Sequence, residues 1–176
     1  GTTLPAGWAS FPWDPSGTTT VTGGSVTVDA TRIRTDAFYG PGHSLEFEAT
    51  FLATRLQHVG FGGGGDASPG ETFNTEPWAM FSTGSTGAGL QARTLDGGAI
   101  ETTLSGVGLG VPHDFRIEWR AASVDFWVDG VLRASHPVSI SQDMRPLASD
   151  LVPGGAALEV AWLRMSPFAN SGSFES

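Results

Sequence analysis

Cysteine and lysine are both absent from this chain of 176 residues. Without cysteine there can be no disulfide framework and no thiolate metal site. Without lysine, all nine cations are arginines, set against 18 acidic residues for a formal net charge of −9. Nucleic acid and anionic membrane surfaces need a basic partner, so neither is expected here. Only 15% of residues are charged, and Tyr39 is the single tyrosine. No apolar run reaches the length that spans a bilayer, so membrane insertion is not expected. No window sustains a helical period, which argues against a bundle. The chain opens at GTTLPAGW, with no basic segment followed by an apolar one, as expected if a secretory leader has been removed or was never included.

What is abundant points one way. There are 25 glycines and 11 prolines among many threonines and serines, a composition suited to short strands joined by turns. The clearest stretch is residues 113–133, HDFRIEWRAASVDFWVDGVLR. Phe115, Ile117 and Trp119 alternate with Asp114, Arg116, Glu118 and Arg120, and Val124, Phe126 and Val128 repeat the pattern. Period-two alternation with aromatic and β-branched residues predicts a half-buried hairpin, and Asp129-Gly130 supplies a tight turn. Further strands are expected at 18–22, 25–29, 31–35, 45–51, 57–62, 78–82, 90–95, 99–104, 147–150 and 157–165. Ten to thirteen short strands in one chain of this length predict one all-β, two-sheet antiparallel sandwich, a jelly roll, over residues 1–168. Residues 169–176, Ser/Gly-rich, read as a linker-like tail to further modules.

Three stretches resemble the concanavalin A-like lectins and glucanases, and most closely the family-sixteen glycoside hydrolases. HDFRIEWRAASVDFWVDG is similar to that family's hairpin, LEFEATFL (45–52) to its outer-sheet strand, and ALEVAWLRM (157–165) to its terminal strand. The resemblance implies a jelly roll whose catalytic strand reads Glu-x-Asp-x-x-Glu, placing two carboxylates on one face for retaining hydrolysis. By order along the chain the equivalent strand is Trp78-Ala79-Met80-Phe81-Ser82, which carries no carboxylate. Ala161 also stands where many relatives have a calcium-binding Asp. No cofactor is therefore expected, and no calcium-ligand spacing supports a structural ion. Alginate-lyase-like relatives share the jelly roll, and Gln57-His58 is loosely similar to their Gln-Ile-His motif. Nothing matches their tyrosine-rich terminal strand.

Candidate site residues follow from face and chemistry. Sugar rings stack their C–H faces on tryptophan while polar neighbours take the hydroxyls. Trp78, on the strand that lines the groove in the relatives, is the first candidate platform. Gln91 and Arg93 alternate with Leu90, Ala92 and Thr94 on the next strand, and His58 and Asp150 complete a polar ring. Trp119 is expected in the core, Trp127 on the outer sheet, and Trp8 and Trp13 over the sandwich or at one end of the cleft. Glu46 and Glu48 read as the wet face of an outer strand. Asp66, Glu71 and Glu76 lie in a long glycine-rich loop that could hold functional groups. The four histidines show no metal-binding spacing.

The expectation is an extracellular, secreted or cell-surface, non-catalytic carbohydrate-binding module whose partner is a polysaccharide or glycan. The alternatives are a glycoside hydrolase or polysaccharide lyase using loop carboxylates such as Glu71 or Glu76, and a structural spacer or adhesion domain in a large surface protein.

Overall fold

The computed structural model describes residues 1–63, 77–154 and 156–167. They form fourteen strands and no helix, so no helix is long and apolar enough to cross a membrane. In chain order the strands are β1 (Trp8–Pro12), β2 (Thr18–Thr22), β3 (Ser25–Asp29), β4 (Thr31–Thr35), β5 (His43–Thr50), β6 (Gln57–Gly62) and β7 (Trp78–Ser82). They continue as β8 (Gln91–Leu95), β9 (Ala99–Thr103), β10 (His113–Trp119), β11 (Val124–Val128), β12 (Val131–His136), β13 (Arg145–Asp150) and β14 (Leu158–Pro167).

Two seven-stranded antiparallel sheets result. The first runs β1-β4-β13-β6-β7-β8-β9 and the second β12-β11-β10-β5-β14-β3-β2. Side chains alternate across each strand, and directly opposed residues share a face, so the registers decide what points inward. From the first sheet Ile33, Val59, Phe61, Ala79, Phe81 and Ala92 turn inward; from the second come Leu45, Phe47, Phe115, Ile117, Trp119 and Phe126. Aromatic rings fill the middle. Phe115 lies 5.1 Å from the Phe47 ring and 4.7 Å from that of Phe81, centroid to centroid. The expected all-β sandwich is what forms.

The Asp129-Gly130 turn has a different place from the one its alternation suggests. The β10–β11 hairpin closes through residues 120–123, with Arg120 N–H donating to the Ser123 carbonyl at 2.9 Å. Asp129 (φ 51°) and Gly130 (φ 74°) instead join β11 to β12. Positive φ at both central residues is the twist-matched turn that Asp-Gly favours. Val131–His136 is thus a third strand of the meander, at the edge of the sheet.

Gly60 shows how closely the first sheet is packed. A Cβ there would meet Met80 Cα at 2.6 Å and Met80 Cβ at 2.7 Å, and would also press on the Ala79 carbonyl. Backbone cannot yield as a flexible side-chain tip can. Gly60→Ala is expected to cost about 1–3 kcal/mol, read as a lower urea midpoint at unchanged slope.

Candidate functional site

The outer face of the first sheet gathers arginine, histidine and aromatic side chains. Its residues follow from register. Ser149 opposes Arg32 and His58, Leu147 opposes Arg34 and Gly60, and Arg145 opposes Gly62. His58 opposes Ser82, Met80 opposes Arg93, and Trp78 opposes Gly62 and Leu95. Arg93 in turn opposes Glu101, and Gln91 opposes Thr103. Four of the nine arginines therefore stand on one face of an acidic protein.

Aromatic rings accompany each guanidinium. Arg34 lies 4.2 Å above the Phe11 ring, Arg32 is 4.9 Å from Trp13, Arg145 is 4.3 Å from Phe38, and Arg93 is 5.1 Å from Trp78. Such stacking holds a planar cation while leaving its edge donors directed. Trp13 reaches this face because β1 runs along β4, and its Nε1 donates to Ser149 Oγ at 2.9 Å. Arg34 Nη1 also donates to Asp36 Oδ1 at 3.1 Å, and Arg93 Nε donates to Glu101 Oε1 at 2.8 Å. The middle of the face is covered: Arg32, Arg34, Arg145, His58, Met80 and Trp78 are all buried. Its rim is open, with Phe38 at 44% exposure, Glu101 exposed, and Trp13, Gln91 and Arg93 half-buried.

Burial determines the protonation of His58. Desolvation, reinforced by the Arg93 charge, lowers its pKa from 6.5 to about 3, so the imidazole is neutral at physiological pH. Trp78 contributes a buried Nε1–H that has no hydrogen-bond partner among the described residues.

The structure brings four of the five predicted site residues to this face: His58, Trp78, Gln91 and Arg93. Asp150 is not with them. One residue past Ser149, it turns inward to the space between the sheets, opposite Gln57 rather than His58. Gln57 Nε2 donates to Asp150 Oδ2 at 2.7 Å and to the Ala156 carbonyl at 2.6 Å, while Gln57 Oε1 accepts the Leu52 N–H at 2.7 Å. Val152 N–H donates to Asp150 Oδ1 at 3.0 Å. Burial raises the Asp150 pKa, against the lowering effect of these hydrogen bonds. Both Asp150 oxygens accept from fixed donors, so Asp150→Asn would set its NH₂ against one of them, the Gln57 NH₂ or the Val152 N–H. The expected cost is about 1–3 kcal/mol in unfolding free energy.

Sequence reasoning passed over Arg32, Arg34, Arg145, Phe11 and Phe38. The signal was present in TRIRT, where Ile33 faces the core and both flanking arginines must face away. Asp66, Glu71 and Glu76 lie outside the described residues. Among the described residues, no three histidine or acidic side chains come together as a metal site. A cleft of about 290 Å³ lies apart from this face, between the sheet edges, walled by Leu4, Trp8, Val26, Ile33, Val160 and Trp162. Its lining includes no carboxylate, histidine or arginine.

No protein-family model matches this chain, and no curated protein matches it. Solved structures do. An endo-β-1,3-glucanase from Pyrococcus furiosus superposes with a TM-score of 0.69 at 12% identity, covering 96% of this chain and 91% of that one. The β-glucanase of Bacillus licheniformis gives 0.62 at 15% identity, over 93% of this chain and 94% of its own. The carbohydrate-binding module CBM66 of Bacillus subtilis gives 0.62 at 12% identity, over 90% and 94%. The fold is a two-sheet antiparallel jelly roll. At these identities the likeness fixes the architecture and leaves the chemistry to the residues present.

Proposed function

We propose that this domain is a non-catalytic carbohydrate-binding module that holds a polysaccharide at the rim of the first sheet's outer face. One observation carries the reading. Among the described residues of that face, Glu101 is the only strand carboxylate, and it is committed to Arg93. Hydrolysis by the two-carboxylate route needs an acid and a nucleophile or base facing each other across one bond. The aromatic rings and directed donors suit binding instead: Phe38 and Trp13 offer stacking surfaces, while Gln91 and Arg93 offer hydrogen bonds. Neighbours of this architecture include both a carbohydrate-binding module and glucanases, which is consistent with a glycan ligand. Export to the cell exterior, where polysaccharides are met, belongs to the same proposal.

Affinity electrophoresis through gels of β-glucan, xylan, alginate and pectin tests it. Retardation in at least one gel is expected, with Phe38→Ala and Arg93→Ala each weakening it by roughly tenfold. Phe38 is exposed and Arg93 half-buried, so both variants should fold. Free migration in every gel would sink the proposal and favour a structural spacer.

A further inference from the structure

The outer face of the second sheet carries a separate cleft of about 230 Å³, lined by Glu46, Asp114, Phe115, Arg116, Trp127, Gly130 and Trp162. We propose that it is a second sugar-binding site, for neutral pyranosides, walled by Trp127 and Trp162 and floored by Glu46, Asp114 and Arg116.

Both tryptophans are aimed there by backbone geometry. In β11, Phe126 and Val128 are fully buried, so Trp127 between them must point outward. In β14 the register against β5 shifts between Val160 and Trp162. A bulge of this kind re-aims the following side chains. It keeps Leu163 and Met165 packed against the core and turns Trp162 to solvent, at 41% exposure. Strand pairing then lays out the floor. Trp127 opposes Arg116, Arg116 opposes Glu46, and Glu46 opposes Arg164; one step along, Asp114 opposes Glu48, which opposes Trp162. Three strand spacings separate the two tryptophans, roughly 14 Å across the sheet, room for more than one sugar ring between them.

The polar groups are organised as a binding floor. Arg116 lies 4.4 Å from the Trp127 ring centroid and 3.2 Å from Glu118, which fixes its guanidinium. Glu46 is ion-paired with Arg164. Among the described residues, the buried Trp127 Nε1–H has no hydrogen-bond partner. An unmet buried donor costs free energy that an incoming hydroxyl oxygen would recover. Carboxylate oxygens accept from sugar hydroxyls, and the indole faces take the apolar C–H side of the ring. The two lining carboxylates, Glu46 and Asp114, face one lining guanidinium, Arg116. That balance disfavours uronates and sulfated sugars, so the expected ligand is uncharged. Because the two proposed sites lie on opposite faces of the sandwich, one molecule could engage two polysaccharide strands and bind a matrix more tightly than either site alone.

Two-dimensional NMR of the ¹⁵N-labelled full chain, reading the indole N–H signals, tests this site independently of the first. Cellohexaose, laminarihexaose, xylohexaose and maltohexaose would be titrated to about 10 mM, enough to detect millimolar affinity. At least one is expected to move the Trp127 and Trp162 signals saturably. Trp162→Ala and Glu46→Gln, both on the wet side of the sheet, should each weaken that binding by roughly tenfold. Movement confined to the Trp13 and Trp78 signals would support the first-sheet reading and overturn this one. So would the absence of any response at Trp127 and Trp162, or a response that both variants leave unchanged. If those two signals instead move with protein concentration alone, and sedimentation shows a dimer, the face is a self-association surface and the sugar-site proposal fails.

Discussion

Replacing Trp119 with alanine should lower the unfolding free energy by about 3–5 kcal/mol, the largest loss expected from any single side chain discussed. Trp119 is fully buried at the end of β10, and its ring lies 5.5 Å from that of Phe61 on the facing sheet. It also closes a polar account in an apolar place, since its Nε1 donates to the Ile140 carbonyl at 3.0 Å. Truncation would therefore open a cavity between the sheets and strip a buried carbonyl of its donor. Trp119→Phe separates the two effects. It keeps most of the ring volume and loses the hydrogen bond, so about 1–3 kcal/mol is expected. Urea unfolding followed by far-ultraviolet circular dichroism gives both numbers. Equal losses for the two variants would show that the hydrogen bond, and not packing, dominates.

The second large effect is on acid stability. His58 has a folded pKa of about 3 against an ordinary value of 6.5, because burial and then Arg93 oppose its charging. The unfolded chain accepts a proton there as pH falls through the ordinary value, while the folded chain refuses it. Stability is thus fully present above the unfolded pKa and declines as pH falls towards the folded one, by about 1.4 kcal/mol per pH unit. At about pH 4.5 the loss from this one group is roughly 3 kcal/mol. His136 acts in the same direction. It is buried between Thr94 and Thr102, at 2.9 and 3.0 Å from their hydroxyls, and desolvation lowers its pKa as well. Asp150 acts oppositely, since its raised pKa lets the folded chain bind a proton first. Comparing the native chain with His58→Gln isolates the His58 part. Urea midpoints measured from about pH 7 to pH 4.5 should fall less steeply in the variant. Parallel curves would contradict a neutral, buried His58.

How legible this was in the sequence depended on whether alternation was clean. The run Phe115-Arg116-Ile117-Glu118-Trp119 alternates without fault, and β10 forms as expected with those apolar residues buried. Val131, Leu132 and Arg133 are all exposed, and the β11–β12 register shifts beside Trp127, so β12 offered no such rhythm. β1 contains Pro12 at its end and is an edge strand, where proline is tolerated and strand signals are weak. At the site, Leu147 and Ala148 are both apolar, which hides the alternation that sends Ser149 to one face and Asp150 to the other. Only the partner strand resolves it, because Gln57 and His58 fix the register. Pairing between distant strands is long-range information, and a local pattern does not contain it.

The same distinction separates scaffold from activity. Residues that make a jelly roll are the inward ones, whereas function is carried by outward ones that the fold does not constrain. The HDFRIEWRAASVDFWVDG stretch supports the architecture through Phe115, Ile117, Trp119 and Phe126. Its outward residues, Arg116 and Trp127, take no part in that core.

Binding without cleavage is the central claim, and prolonged incubation with a polysaccharide that retards the protein tests it most directly. New reducing ends and the ultraviolet absorbance of unsaturated sugar ends would be followed together, since hydrolysis yields only the first and elimination yields both. Neither is expected to rise above a no-protein control. Steady accumulation of either, removed by a substitution on the first sheet's outer face or by Glu71→Gln or Glu76→Gln, would make this protein an enzyme and contradict the account.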